Sequence, residues 1–188
     1  MIKAQMIGAS DTDRDQGADA GRIRTPAKLL RTIRFDRSDD HVFAGAAASD
    51  EWAVSGAFAF ANADAGALTG KARQAFANGF LGLATFGRST FATVSEIEAR
   101  ALDGLVERLA GHLVQDYGAP GREAARHAAE AELAFIADLV AEVPINTVFT
   151  VRRSWTADGE IEEEFRQIRP PSGEPLHARV WTVEPDDA

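Results

Sequence analysis

Four histidines and 29 acidic side chains supply most of the metal-binding and acid–base material in this chain, which has no cysteine. Thiolate zinc sites, iron–sulfur clusters, disulfides and thiol catalysis are therefore excluded. A mononuclear iron(II) centre needs about two histidines and a carboxylate with open coordination positions. His41 and His177 lie in a turn and a terminal segment. That leaves His112 and His127 on adjacent predicted helices, with Glu123 and Glu130 spaced one helical turn either side of His127. The candidate metal set is accordingly His112, His127 and Glu130, with Fe(II) as its cofactor. Helix-surface histidines paired with glutamates are the simpler reading of the same spacing.

Other chemistry is thinner. Gly87-Arg-Ser-Thr90 lacks the second glycine of a nucleophile elbow and runs into a predicted strand, so Ser89 is not read as a nucleophile. There is no phosphate-binding P-loop and no dinucleotide fingerprint. Gly79-Phe-Leu-Gly82 reads as close packing or capping. Glu162-Glu-Glu164 alternates between strand faces, and the remaining paired carboxylates read as surface charge.

The elements that must position these residues are clearest at the end of the chain. Asn146–Trp155 and Glu160–Ile168 form a predicted hairpin. A two-residue Asp158-Gly159 loop would split its apolar residues between faces. A three-residue loop, Ala157 to Gly159 with Gly159 left-handed, gathers Phe149, Val151, Trp155, Ile161 and Phe165 on one face and sets Arg153 opposite Glu163. One-residue slippage would invert every side chain, so the three-residue loop is preferred. Arg152, Ser154, Glu162, Glu164 and Arg166 then share a solvated face, which argues for an antiparallel sheet.

Upstream, strands are expected at Lys28–Asp36, at His41–Phe43 as a short edge strand, at Trp52–Phe60 and at Arg88–Val94. A helix is expected over Gly70–Ala84. Ser95-Glu-Ile-Glu98 fits a capping box for the next helix, whose Leu102, Leu105, Val106, Leu109 and Leu113 form an apolar stripe. Gly118 ends it. Arg122–Glu142 follows, with Ala125, Ala128, Phe135, Ile136 and Leu139 inward, and Pro144 ends that helix. The fold class is α+β: an antiparallel or mixed sheet with an αα-hairpin packed on one face, in the order β-β-α-β-α-α-β-β. Residues 1–26 read as a disordered acidic tail, 27–170 as a single domain and 171–188 as a C-terminal extension containing a possible last strand over His177–Val183.

A net charge of −9 supplies no general footprint for nucleic acid. The sequence holds no run of about 18 apolar residues, so no membrane-spanning helix is expected. With no charged-then-apolar leader pattern, the cytoplasm is the expected compartment.

Several segments together resemble a small bacterial domain family of unknown function: Lys28-Leu-Leu-Arg-Thr-Ile-Arg-Phe-Asp36, Glu51-Trp-Ala-Val-Ser-Gly56, Gly70-Lys-Ala-Arg-Gln-Ala-Phe76, Phe86-Gly-Arg-Ser-Thr90 and Asp158-Gly-Glu-Ile-Glu-Glu-Glu-Phe-Arg166. The resemblance covers roughly Lys28 to Pro170. Some members carry the label biphenyl-2,3-diol 1,2-dioxygenase III-related, but the family supplies no catalytic motif to transfer. The sequence thus supports a non-enzymatic binding or accessory protein that forms a homo-oligomer and has a possible protein partner. The alternative is a ring-cleavage-dioxygenase-related enzyme with a histidine/carboxylate iron site. A third possibility is a small-molecule binder built on the aromatic face Trp52, Phe58 and Phe60, which requires an apolar cavity there.

Overall fold

The computed structural model describes residues 3–5 and 27–168. The expected terminal strand over His177–Val183 and most of the expected acidic tail lie outside those residues. Within the tail, Lys3–Gln5 forms strand β1.

The remaining strands are β2 (Ala27–Ile33), β3 (Trp52–Val54), β4 (Phe80–Gly82), β5 (Arg88–Ser89), β6 (Phe91–Ile97), β7 (Val148–Trp155) and β8 (Ile161–Ile168). They make one sheet in the order β1-β8-β7-β6-β2-β3-β4-β5. Every neighbouring pair is antiparallel except β1 and β8, which run parallel. The helices are α1 (Ser38–Val42), α2 (Gly70–Asn78), α3 (Ala99–Tyr117) and α4 (Arg122–Val140). The fold is α+β, as the sequence indicates. Among the described residues no helix is long and apolar enough to cross a membrane.

The closing hairpin has the register expected of a three-residue loop. Val151 faces Phe165, Arg153 faces Glu163 and Trp155 faces Ile161. Thr156 N–H bonds to Glu160 O at 2.8 Å, and Gly159 takes φ +79°. Phe149, Val151 and Ile161 are buried, and Arg152 and Ser154 on the other face are exposed. Along α3 the predicted stripe packs inward through Leu105, Val106, Leu109 and Leu113. Gly118 ends the helix at φ +66°, a conformation that suits glycine. The chain turns back into α4, whose inward residues are Ala125, Ala129, Leu133, Ile136, Leu139 and Val140. Ala128 stays exposed, a departure from the predicted inward set. Lys28 on β2 donates to Ala141 O at 3.0 Å and Val143 O at 2.9 Å. Its ammonium satisfies carbonyls left over at the end of α4 and complements the negative end of the helix dipole.

Four local expectations are corrected. Asp39–His41 belong to α1, not to a turn and an edge strand. The strand at Trp52 stops at Val54, because Gly56 turns left-handed at φ +70° and sends Ala57–Phe60 into a 3-10 turn. The helix from Gly70 ends at Asn78, and Phe80–Gly82 is recruited as β4. Ser95–Ile97 does not cap α3. It pairs with Leu29–Ala27 of β2, and the ladder hydrogen bonds override the local capping pattern.

Candidate functional site

Arg153 and Glu163 point into the protein from β7 and β8. Their side chains are 0% and 3% exposed and meet at 2.6 Å, Nε to Oε1. Burying two charges is tolerable only when their remaining donors and acceptors are also matched. Arg153 meets that condition. Nη1 donates to Phe76 O at 2.8 Å and Gly79 O at 3.0 Å, while Nη2 donates to the carbonyl and, at 3.2 Å, the hydroxyl of Ser55. With Nε on Glu163, all five donors of the guanidinium are engaged. The Ser55 hydroxyl donates in turn to Glu163 Oε1. Glu163, expected from sequence as the cross-strand partner of Arg153, is thus one of the most enclosed polar groups in the fold.

A second guanidinium lies beside the first. Arg88, on β5, donates to Gly79 O at 3.1 Å and, through both Nη atoms, to Gly56 O at 3.2 and 3.3 Å. It also sits 4.9 Å above the Phe60 ring. Burial, reinforced by repulsion from Arg153, lowers its pKa to about 10, so it stays charged at neutral pH.

Gly56 joins this cluster to helix α4. Its N–H donates to Glu132 Oε1 at 3.0 Å, and its carbonyl receives Arg88. A Cβ built there would lie 2.5 Å from Leu81 Cβ and 2.8 Å from Arg88 Nη1, so the close approach requires glycine. Burial raises the pKa of Glu132, and the charge of Glu163 pushes the same way. The Gly56 hydrogen bond and the two arginines only partly offset them.

Glu132 and Glu163 face a cavity of about 440 Å³ between the helix pair and the sheet. Its walls are otherwise apolar: Phe58, Leu109, Leu113, Ala128, Ala131 and Phe135. Small-molecule sites commonly span about 300–1,000 Å³ with apolar walls and a few convergent polar groups. This cavity has that composition. Its chemical capability is narrow: it can enclose a hydrocarbon body and present carboxylate oxygens to one end of it.

The residues singled out from sequence lie elsewhere. His112 is held by Asp116, Nδ1 to Oδ2 at 2.7 Å one turn along α3, and stacks on Phe86 with ring centres 3.6 Å apart. His127 is exposed on α4, and Glu130 is bonded to Arg126 at 3.0 Å. Among the described residues no group of three or more histidine, aspartate or glutamate side chains is placed to hold a metal ion. Ser89 is fully buried, its hydroxyl 3.0 Å from Ile33 O and 2.9 Å from Phe91 O. Gly79 and Gly82 are close-packing positions, as expected: a Cβ on Gly82 would lie 2.6 Å from Glu51 Oε2. The aromatic trio is divided. Phe58 lines the cavity, Phe60 packs on Phe76 and Arg88, and Trp52 lies under Arg31 at 3.9 Å.

A second cavity, about 370 Å³, lies beside Trp52 and the start of α3. Three of its four charged groups, all but Arg108, are occupied within the protein. Arg31 pairs with Asp50 at 2.8 Å, and Glu51 accepts from the backbone of Ala48, Ala84 and Thr85 and from the Thr85 hydroxyl at 2.6–2.8 Å.

Glu132 was not anticipated, because in Ala-Glu-Ala-Glu-Leu it looks like another solvated glutamate. The available signal was its helical neighbourhood: four residues before it is Ala128 and three after it is Phe135, which puts a carboxylate on an apolar strip.

A family model described as a family of unknown function, DUF6505, matches residues 27–180. The chain belongs to that family. A search of curated proteins and a search of solved structures each found no match. The DUF6505 match spans every element that builds the cavity, from Gly56 through α3 and α4 to Glu163.

Proposed function

We propose that this DUF6505 protein is a non-enzymatic binding module, which encloses a small amphipathic molecule in the cavity between α3, α4 and β8. The observation that supports this is the division of labour in the cavity lining. Among the described residues six apolar side chains form the walls, and the only polar groups, Glu132 and Glu163, converge from a helix and a strand. The arginine cluster behind them fixes Glu163 and, through Gly56, Glu132. Such a preorganised polar end gives orientation, while the walls supply affinity through buried apolar area.

Displacement of a fluorescent apolar probe tests the reading. The protein should bind the probe with saturable, one-site stoichiometry. Ala131→Phe, which places a ring into the cavity from an exposed helix position, should abolish binding and leave the melting temperature near that of the parent. Equal probe binding by parent and variant would refute the assignment.

A further inference from the structure

We propose that the cavity selects an amphipathic amine, whose ammonium group sits between Glu132 and Glu163 and whose hydrocarbon body lies along Phe58, Leu109, Leu113 and Phe135. This rests on the binding-module reading and adds the chemical class of the occupant.

The first argument is the polarity of what faces the cavity. Among the described residues the lining holds two carboxylates and no basic side chain. The nearby guanidiniums are turned away: Arg153 has all five donors on Glu163, Ser55 and the carbonyls of Phe76 and Gly79, and Arg88 donates to the carbonyls of Gly56 and Gly79. A ligand entering here meets acceptors, so its polar end must donate.

The second argument is the distribution of hydrogen bonds on the two acids. The bonds to Glu163 from Arg153 and Ser55 fall on Oε1, and the bond to Glu132 from the Gly56 N–H also falls on Oε1. Among the described residues each carboxylate is therefore anchored by one oxygen, and Oε2 of each is left to serve a ligand. An ammonium carries three donors and bridges two such oxygens; a hydroxyl carries one.

The third argument is charge balance. When Glu132 holds a proton, the cluster of Arg88, Arg153 and Glu163 carries one net positive charge. When Glu132 releases it and an ammonium takes its place, the net charge is still one positive. The ligand's charge replaces a proton already favoured at that position. A carboxylate ligand would instead bring a third acid against Glu132 and Glu163, with no donor on the lining except a protonated Glu132.

Binding should therefore release a proton from Glu132, and affinity should rise with pH as that proton becomes easier to remove. The charged groups acting on Glu132 are Glu163 from β8, Arg153 from β7 and Arg88 from β5; Tyr117, at the end of α3, acts on Arg88. The cavity-lining residues of α3 and of the 3-10 turn, Leu109, Leu113 and Phe58, do not titrate.

The experiment is calorimetric titration of the full chain with n-octylamine, n-octanol and n-octanoate, in two buffers of different ionisation enthalpy and over a range of pH. Octylammonium should bind about tenfold or more tightly than octanol, the scale of one charge-assisted hydrogen bond, with octanoate weakest. Proton release should appear as a buffer-dependent heat. Glu132→Gln should lose that tenfold preference and the proton release while keeping its affinity for octanol. Equal binding of octanol and octylammonium, or a preference for octanoate, would overturn the amine assignment and leave the cavity as a binding site. Failure of all three ligands to bind would overturn the binding-module reading itself.

Discussion

Glu51 and Glu132 are two enclosed glutamates treated in opposite ways. Glu51 accepts four hydrogen bonds, three of them from backbone N–H groups of the loops it ties together. Burial alone would raise its pKa, but those bonds outweigh burial and bring it below the ordinary 4.5. Glu132 accepts one such bond, from Gly56, and stands close to a second carboxylate, so its pKa goes up. The first arrangement is a staple that wants its charge. The second leaves a carboxylate under-solvated at the wall of a cavity, which is how ligand-ready acids differ from structural ones. Both sit at cavities of similar size, so the number of internal partners, not the cavity, separates the two.

The sharpest way to break this contrast is to remove the support behind Glu163. Arg153→Met should cost about 3–5 kcal/mol in urea unfolding, because it leaves Glu163 buried with only the Ser55 hydroxyl and takes the arginine donors away from the carbonyls of Phe76 and Ser55. A loss under about 1 kcal/mol would mean that the cluster is wet and that the cavity is not preorganised. Gly56→Ala should cost about 3 kcal/mol, since the left-handed backbone and the contact with Leu81 both oppose a Cβ. Its effect on octylamine binding should exceed that of any substitution in α1, because Gly56 aims Glu132.

The two glutamates themselves should show opposite pH signatures. Glu51→Gln should lose about 2 kcal/mol near neutral pH, because an amide group then faces donors. A depressed pKa gives stability above the unfolded value that is lost as pH falls, so this penalty should shrink below about pH 4.5. Glu132→Gln should do the reverse and by a smaller amount. A raised pKa favours the folded state only at low pH, and that contribution is lost as pH rises through the folded pKa. The neutral amide should therefore melt higher than the parent at pH 7–8, with the gain vanishing in acid below the ordinary 4.5. Thermal melts of both variants from pH 4 to 8 decide the matter; parallel curves would remove the basis for distinguishing the two acids.

Much of the positioning framework was legible from local pattern. The hairpin register followed from strict alternation plus one glycine at the only loop position that needs φ above zero, which gives Gly159 its +79°. Leu105, Val106, Leu109 and Leu113 lie at helical spacing, and they face the core. Elements without such redundancy fold otherwise than their local pattern suggests. The alternation from Trp52 to Phe60 was real as a pattern, yet Gly56 broke the strand where Glu132 and Arg88 claimed its N–H and carbonyl. The capping pattern at Ser95 lost to a ladder with β2 supplied by residues more than sixty positions earlier.

The sequence by itself determined the α+β class, the closing hairpin and the helix pair, because period, turn chemistry and helix stops act over a few neighbouring residues. It also placed Arg153 opposite Glu163. Tertiary structure alone decided that this pair is buried, that Arg88 joins it, and that Glu132 faces a cavity. A charged side chain carries no mark of its dielectric surroundings in the sequence. Whether a glutamate is solvent decoration or a poised acid depends on which distant segments exclude water from it, and those come together only in the folded chain.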